Sequence, residues 1–175
     1  IRIVKDLLLI ARVDYNPQVL KFENLEINDF FSEILEHTKI LASDKQIDVI
    51  MDSTPKGLFV SGDKVHLRRL FLNIIINAIK FTPPMGTIRI SIQKDRNFLN
   101  VGIKDTGEGI AREILPKIFD KFFHIDKGET TSEAGSGLGL SIALSIAKAH
   151  QGDITVTSEL GKGSKFTVTL PLTDH

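Results

Sequence analysis

Between Asp63 and Phe81 almost every residue is apolar, yet His66, Arg69, Asn73, Asn77 and Lys80 recur at spacings of three, four, four and three. At about 100° per residue these five positions fall along one narrow stripe, with Lys64 and Arg68 off the line. A helix of this kind is buried on most sides and presents amides and cations on one. For a stripe of Lys and Glu, a solvated face would be the ordinary account. Asparagine shifts the balance, because it is a mediocre helix former with no advantage on a solvated face, while its amide supplies an acceptor and two donors. Two Asn one turn apart, with Lys80 a turn further, could hold a hard cation and the phosphates it neutralises. On the stripe alone both readings stand.

The rest of the chain supplies a setting for that helix. Of 175 residues, 42% are hydrophobic and 25% charged, the profile of one main core with an appended element. The opening segment places Ile1, Val4, Leu8, Ala11 and Tyr15 in one seam and Ile3, Leu7 and Ile10 in a second beside it, a bundle helix ended by Asn16-Pro17, and periodicity alone fits equally a first helix packed on its own domain and an interdomain coiled coil. Asn28 is read as the cap of an amphipathic helix over 29–43, followed by strands at 47–52 and 58–60. Pro83-Pro84-Met85-Gly86 closes the striped helix, and strands 87–93 and 99–104 form a hairpin around Asp95-Arg96-Asn97. A mobile loop is expected over 123–136, then a helix over 138–150 and two strands, 153–158 and 165–170. This alternation predicts an α+β chain: a two-layer α/β sandwich whose mixed sheet is covered by helices on one face, preceded by one bundle helix.

Charge and composition narrow the partners. Lys and Arg total 22 against 22 for Asp and Glu, so no global field draws the chain to nucleic acid or an anionic membrane, and any anion must be held locally. The absence of cysteine removes disulfide scaffolds, thiolate metal sites and cysteine nucleophiles, and permits a reducing compartment such as the cytoplasm. No apolar run spans a bilayer, and the start at Ile1 reads as that of a fragment whose parent could carry a membrane anchor elsewhere.

Two glycine clusters follow the striped helix. Asp105-Thr106-Gly107-Glu108-Gly109-Ile110 comes directly after a strand, where an aspartate can accept from an amino group and glycines let backbone pass close to a flat ligand. An ordinary turn is the plainer account of such a segment by itself. Gly135-Ser136-Gly137-Leu138-Gly139-Leu140 leads into a helix, where backbone N–H groups favour phosphate, although a flexible hinge would use the same residues. Neither cluster is a GxxxxGK[ST] loop or a strand-borne GxGxxG.

In this order, the motifs resemble the histidine kinase branch of the gyrase, chaperone, kinase and mismatch-repair ATPase superfamily, over essentially the whole chain. The run from Asn73 to Pro83 resembles the family's asparagine box, DTGEGI and GSGLGL its glycine boxes, and Ile118-Phe119-Asp120-Lys121-Phe122-Phe123 its phenylalanine box. Gly161-Lys162-Gly163-Ser164-Lys165-Phe166 is similar to its last glycine turn, with Ser164 where Thr is common.

The resemblance implies a Bergerat-type ATP-binding fold over 18–175, preceded over 1–17 by the end of the second helix of a dimerisation domain. It implies that Asp105 binds the adenine amino group, with Gly109 behind the ring and Phe81 near the nucleoside, and that Gly107, Ile110 and Phe122 also contact the nucleotide. Asn77 would ligate magnesium with Asn73 in support, and Lys80 would meet the phosphates. Residues 123–136 would form a lid, with Gly137 and Gly139 offering N–H groups to the phosphates and with Gly135, Ser136, Leu138, Leu140 and Ser164 as further nucleotide-binding positions. The activity implied is transfer of the ATP γ-phosphoryl group to a histidine on the dimerisation domain, and onward to a response regulator aspartate, in a homodimeric parent that binds no nucleic acid.

Two departures qualify this. None of the histidines at 37, 66, 124, 150 and 175 is followed by the acidic residue and downstream proline that mark the family's phosphoacceptor, so the chain is expected to bind ATP without phosphorylating itself. His124 stands where the family often carries arginine, and Lys127 is the nearby candidate to replace that charge. The hydrolysing clamps of the superfamily carry a glutamate at the position of Asn73, and an amide cannot act as a general base. A sigma-factor-inhibiting serine kinase and a nucleotide-binding module without kinase activity share the fold and remain as rivals.

Overall fold

The computed structural model describes residues 2–15, 20–124 and 136–173. Helix α1 (Arg2–Tyr15) is followed by strand β1 (Glu23–Glu26), which runs directly into α2 (Ile27–Ala42). Strands β2 (Asp48–Met51) and β3 (Phe59–Gly62) precede the striped helix α3 (Lys64–Phe81), and β4 (Thr87–Asp95) and β5 (Phe98–Asp105) follow it. Helix α4 (Gly139–Ala149) then leads to β6 (Asp153–Glu159) and β7 (Gly163–Pro171). Asn16-Pro17, most of the expected lid, Lys127 and Gly135 lie outside the described residues.

Five strands form one sheet in the order β2-β4-β5-β7-β6, with β2 parallel to β4 and the other neighbours antiparallel. Strand periodicity gives this sheet two unlike faces. Ile88, Ile90 and Ile92 of β4, Leu99, Val101 and Ile103 of β5, and Phe166, Val168 and Leu170 of β7 are buried, while Arg89, Gln93, Lys104 and Lys165 between them are exposed. The apolar face carries the helices, so the mixed-sheet α/β sandwich read from the sequence is what the chain forms. Strands β1 and β3 pair separately. Asp95 pairs with Phe98, which leaves a two-residue turn, and Arg96 takes the positive φ of 54° that such turns require.

Helix α2 starts two residues earlier than expected. Its cap is Glu26, whose carboxylate accepts from Asp29 N at 2.8 Å, while Asn28 lies inside the first turn and donates to Glu26 Oε1 at 2.9 Å. Burial of Ile27 in the core accounts for the shift, since the helix must begin in time to turn that side chain inward.

Helix α3 is capped by Asp63, which accepts from His66 N, and buries Leu67, Leu70, Phe71, Ile74, Ile75 and Ala78. Phe71 meets Phe31 edge-on with ring centroids 4.8 Å apart. At the other end Lys45 Nζ donates to the carbonyls of Ile79, Lys80 and Thr82 at 2.9, 2.8 and 3.3 Å, placing a cation on the negative pole of the helix.

Helix α1 packs on α4 through Ile10 and Val13. Asp6 is buried as well and pairs with Arg69 of the stripe. With that ion pair fixing the rotation of α1, Ile10 is the one residue of the two seams that is buried among the described side chains, while Ile3, Val4, Leu7 and Leu8 are exposed. Among the described residues no helix is long and apolar enough to cross a membrane.

His150, which closes α4, gives this fold a pH dependence. Its Nδ1 lies 2.8 Å from Ile146 O, and its Nε2 accepts from Asp63 N at 3.0 Å, an arrangement that requires the neutral ring with its proton on Nδ1. Burial pushes the imidazole below its ordinary value of 6.5, against the raising effects of Ile146 O and the Asp63 carboxylate. The unfolded chain therefore takes up a proton that the folded one resists. Stability should be full above about pH 6.5 and fall as the pH drops below it. Urea midpoints measured between pH 7.5 and 5.5 should decline, and His150→Gln should flatten that decline; an equal slope in the variant would remove His150 as its source.

Candidate functional site

Helix α3 joins the two halves of the site. Near its middle, Asn73 Nδ2 donates to Gly139 O at 3.0 Å, so the asparagine stripe meets the first residue of α4. A cleft of about 340 Å³ opens there, lined by Arg69, Asn73, Ser136, Gly139 and Ile142 and reached by Asp6. Asn77, half-buried one turn on, makes no side-chain hydrogen bond among the described residues. The N-terminus of α4 differs from those of α2 and α3 in having no side-chain cap, which leaves its first N–H groups to other acceptors. A Cβ on Gly139 would approach nothing closer than Asn73 Cγ at 3.9 Å, so the start of α4 is open. Gly137 has a φ of 66° and stands against Phe122, whose N–H donates to Gly137 O at 3.0 Å, tying the phenylalanine box to this turn. Leu138 is fully buried, so only its backbone can face a ligand, and Leu140 packs against the core.

The second half is built on the end of β5. Asp105 is buried, and its Oδ1 accepts from Gly107 N at 2.8 Å and from Ser164 N at 3.2 Å. Burial raises the carboxyl above its ordinary 3.8, against these two donors, which favour the ionised form. No donor among the described residues is bonded to Oδ2. Glycine is required around this group: a Cβ on Gly107 would come within 2.6 Å of Phe81 O, and Gly109, with a φ of 72°, would press a Cβ to 2.1 Å from Glu159 O. Glu108 N donates to Phe81 O at 3.4 Å, so the last turn of α3 abuts the turn after Asp105. Lys80 Nζ lies 5.4 Å from the centroid of the Phe81 ring. Phe119 packs edge-on to Phe166 and Ile118 is buried, so part of the phenylalanine box is core.

Thus Asn73, Ser136 and Gly139 share one cleft, while Asp105, Gly107, Gly109, Ile110 and Ser164 form a separate group at the far end of α3. Two contributors were not singled out in the sequence. Lys45 holds the carbonyl end of the turn bearing Lys80 and Phe81, and Ser158 accepts from Ile110 N at 2.7 Å. Neither belongs to a motif; each is found only once distant segments are brought together.

With this geometry, the profile of the histidine kinase-, DNA gyrase B- and HSP90-like ATPases matches residues 62–174. The chain belongs to that family. Within it the chain is a histidine kinase catalytic, ATP-binding domain. It is 34% identical over 173 residues to the sensor histidine kinase WalK of Bacillus subtilis strain 168, covering 98% of this chain and 28% of WalK. It is 33% identical to the sensor histidine kinase RppB of Synechocystis, covering 98% of this chain and 38% of RppB. Among solved structures it superimposes on full-length ShkA in complex with AMPPNP with a TM-score of 0.84 at 26% identity, over 98% of this chain and 35% of ShkA. On the mycobacterial sensor histidine kinase MprB the TM-score is 0.75 at 27% identity, over 89% of this chain and all of MprB. The chain thus spans about a third of the length of these curated relatives.

Proposed function

We propose that this chain holds ATP along α3 and transfers the γ-phosphoryl group to a histidine on a dimerisation domain of its parent protein, for onward transfer to a response regulator aspartate. The observation that carries this is the disposition of α3. The nine residues from Asn73 to Phe81, eight helical rises, span roughly 12 Å of helix. One end meets the uncapped start of α4 and the other the buried acceptor Asp105. That separation suits a nucleoside triphosphate, with its base at Asp105 and its phosphates at Ser136, Gly137 and Gly139. The AMPPNP complex of the similar ShkA supports a nucleotide of this kind.

Asn77 suits magnesium. Among the described residues no group of three or more His, Cys, Asp and Glu could cage a metal, and Mg²⁺ favours one or two protein oxygens with water and phosphate completing its shell. Bound there, the ion would supply charge neutralisation to the phosphates. Asn73, held by its bond to Gly139 O, positions the start of α4 beside the stripe. Being an amide, it activates no water, so transfer to a partner is favoured over hydrolysis. The exposed Ile3, Val4, Leu7 and Leu8 of α1 fit the end of a dimerisation hairpin, with the rest of its bundle covering them.

Mixing the chain with the helical segment that precedes it in the parent, together with MgATP, should yield acid-labile phosphate on that segment and none on the chain alone. Label on the isolated chain, or rapid turnover to ADP with no phosphohistidine, would overturn the proposal.

A further inference from the structure

Asp105, Ser164 and Ser158 lie side by side on β5, β7 and β6. Lys104 pairs with Lys165 and Ser158 with Ser164, and the three residues share the face that buries Ile103 and Phe166. This short polar row closes the end of the sheet beneath the helices. Its hydrogens can be counted. Ser158 Oγ accepts from Ile110 N at 2.7 Å, donates to Gly163 O at 3.0 Å, and lies 2.9 Å from Ser164 Oγ. A serine has one proton, and Ser158 has two neighbours that could take it. Gly163 O can only accept, whereas Ser164 Oγ can also give. The arrangement that satisfies every group has Ser158 donating to Gly163 O and Ser164 donating to Ser158. The Ser164 proton is then turned away from the base end of the site, where that hydroxyl offers only lone pairs. Beside it, Asp105 has Oδ1 engaged by two backbone N–H groups and Oδ2 left as an acceptor.

We infer that Ser158 is a positioning residue for base selection: by consuming the Ser164 proton it makes the base end acceptor-only, so that a purine with a 6-amino group is taken and one with a 6-oxo group refused. The inference rests on the assignment of the base to Asp105. An exocyclic amine brings two N–H donors, one for Asp105 Oδ2 and one for Ser164 Oγ. A 6-oxo purine brings an oxygen that meets lone pairs at both, and its single donor on that edge, N1–H, can satisfy only one of them. In Ser158→Ala the Ser164 proton is released and can be donated to that oxygen.

The test is the ratio of ITP to ATP dissociation constants, with magnesium, in the wild type, Ser158→Ala, Ser158→Thr and Ser164→Ala. Wild type should prefer ATP, Ser158→Ala should narrow the preference about three- to tenfold, the size of one hydrogen bond, and Ser158→Thr should restore it. A purely structural role, through the lost bond to Ile110 N, would weaken both nucleotides equally and leave the ratio unmoved, which would overturn the inference. Should Ser158→Ala not fold, Ser164→Ala decides: weaker ATP with ITP unchanged or tighter supports the inference, and equal change or none refutes it. If the wild type binds no ATP, or Asp105→Asn leaves ATP affinity intact, the base assignment itself fails instead.

Discussion

Asp105→Asn is expected to weaken ATP binding about a hundredfold while leaving most of the fold's stability in place. The substitution keeps the volume of the side chain and one carbonyl oxygen, which can still accept from Gly107 N and Ser164 N in place of Oδ1. What changes is the second position, where an acceptor becomes an NH₂ donor facing the amine it should receive. A charged hydrogen bond is lost and a donor–donor contact replaces it. Asp105→Ala would also weaken binding, but it strands two buried backbone donors, and its effect on affinity mixes with unfolding. A second readout belongs to the carboxylate itself. Because burial raises its pKa, protonation on acidification begins at higher pH than for an exposed aspartate, and the protonated group loses its acceptor at Oδ2. ATP affinity of the wild type should thus fall as the pH drops, whereas the residual affinity of the Asn variant should lack that component. Calorimetry across pH, with melting curves as a control on folding, would measure both; equal ATP affinity in the two proteins would sink the adenine assignment.

The residues behind that prediction were legible in the sequence because their signals are local. Helical spacing sets Asn73, Asn77 and Lys80 on one stripe, Asp105 and its glycines follow a strand, and Asp95-Arg96-Asn97 marks the hairpin, but the nucleotide roles of these residues come from the family resemblance and not from their spacing. What could not be read depends on contacts between segments far apart. Lys45 caps carbonyls 34 to 37 residues away, Ser158 holds Ile110 across 48, and His150 receives the N–H of Asp63 across 87. The apolar spacing of α1 was legible as a helix but not as a rotation, because Asp6 turns inward for a partner on another helix, Arg69. Asn28 misled for a related reason: capping preference named it, but burial of Ile27 moved the start of the helix to Glu26.

Gly163→Ala should do more damage than any other single methyl group added to the last glycine turn. Gly163 opens β7 with a φ of 90°, and a Cβ built on it would lie 2.0 Å from Asp105 O and 3.1 Å from Gly107 N, both backbone atoms. Neither can swing aside as a side-chain tip would, so the start of β7 must move away from the end of β5. Left-handed strain and backbone displacement together should cost about 3 kcal/mol, a large part of the stability of a domain. The displacement also falls on the site, because Ser164 N, the next residue along, is one of the two donors that hold Asp105 Oδ1. ATP binding should therefore fail even in the fraction that remains folded. Gly161, two residues earlier, is the internal control: its φ is 78°, but a Cβ there meets nothing within 4 Å. Gly161→Ala should thus pay only for the strained dihedral, about 1 kcal/mol, and keep its affinity for ATP. Urea unfolding and calorimetry on the two variants separate the causes: similar small losses in both would mean that β7 yields easily and that Gly163 is no part of what fixes Asp105.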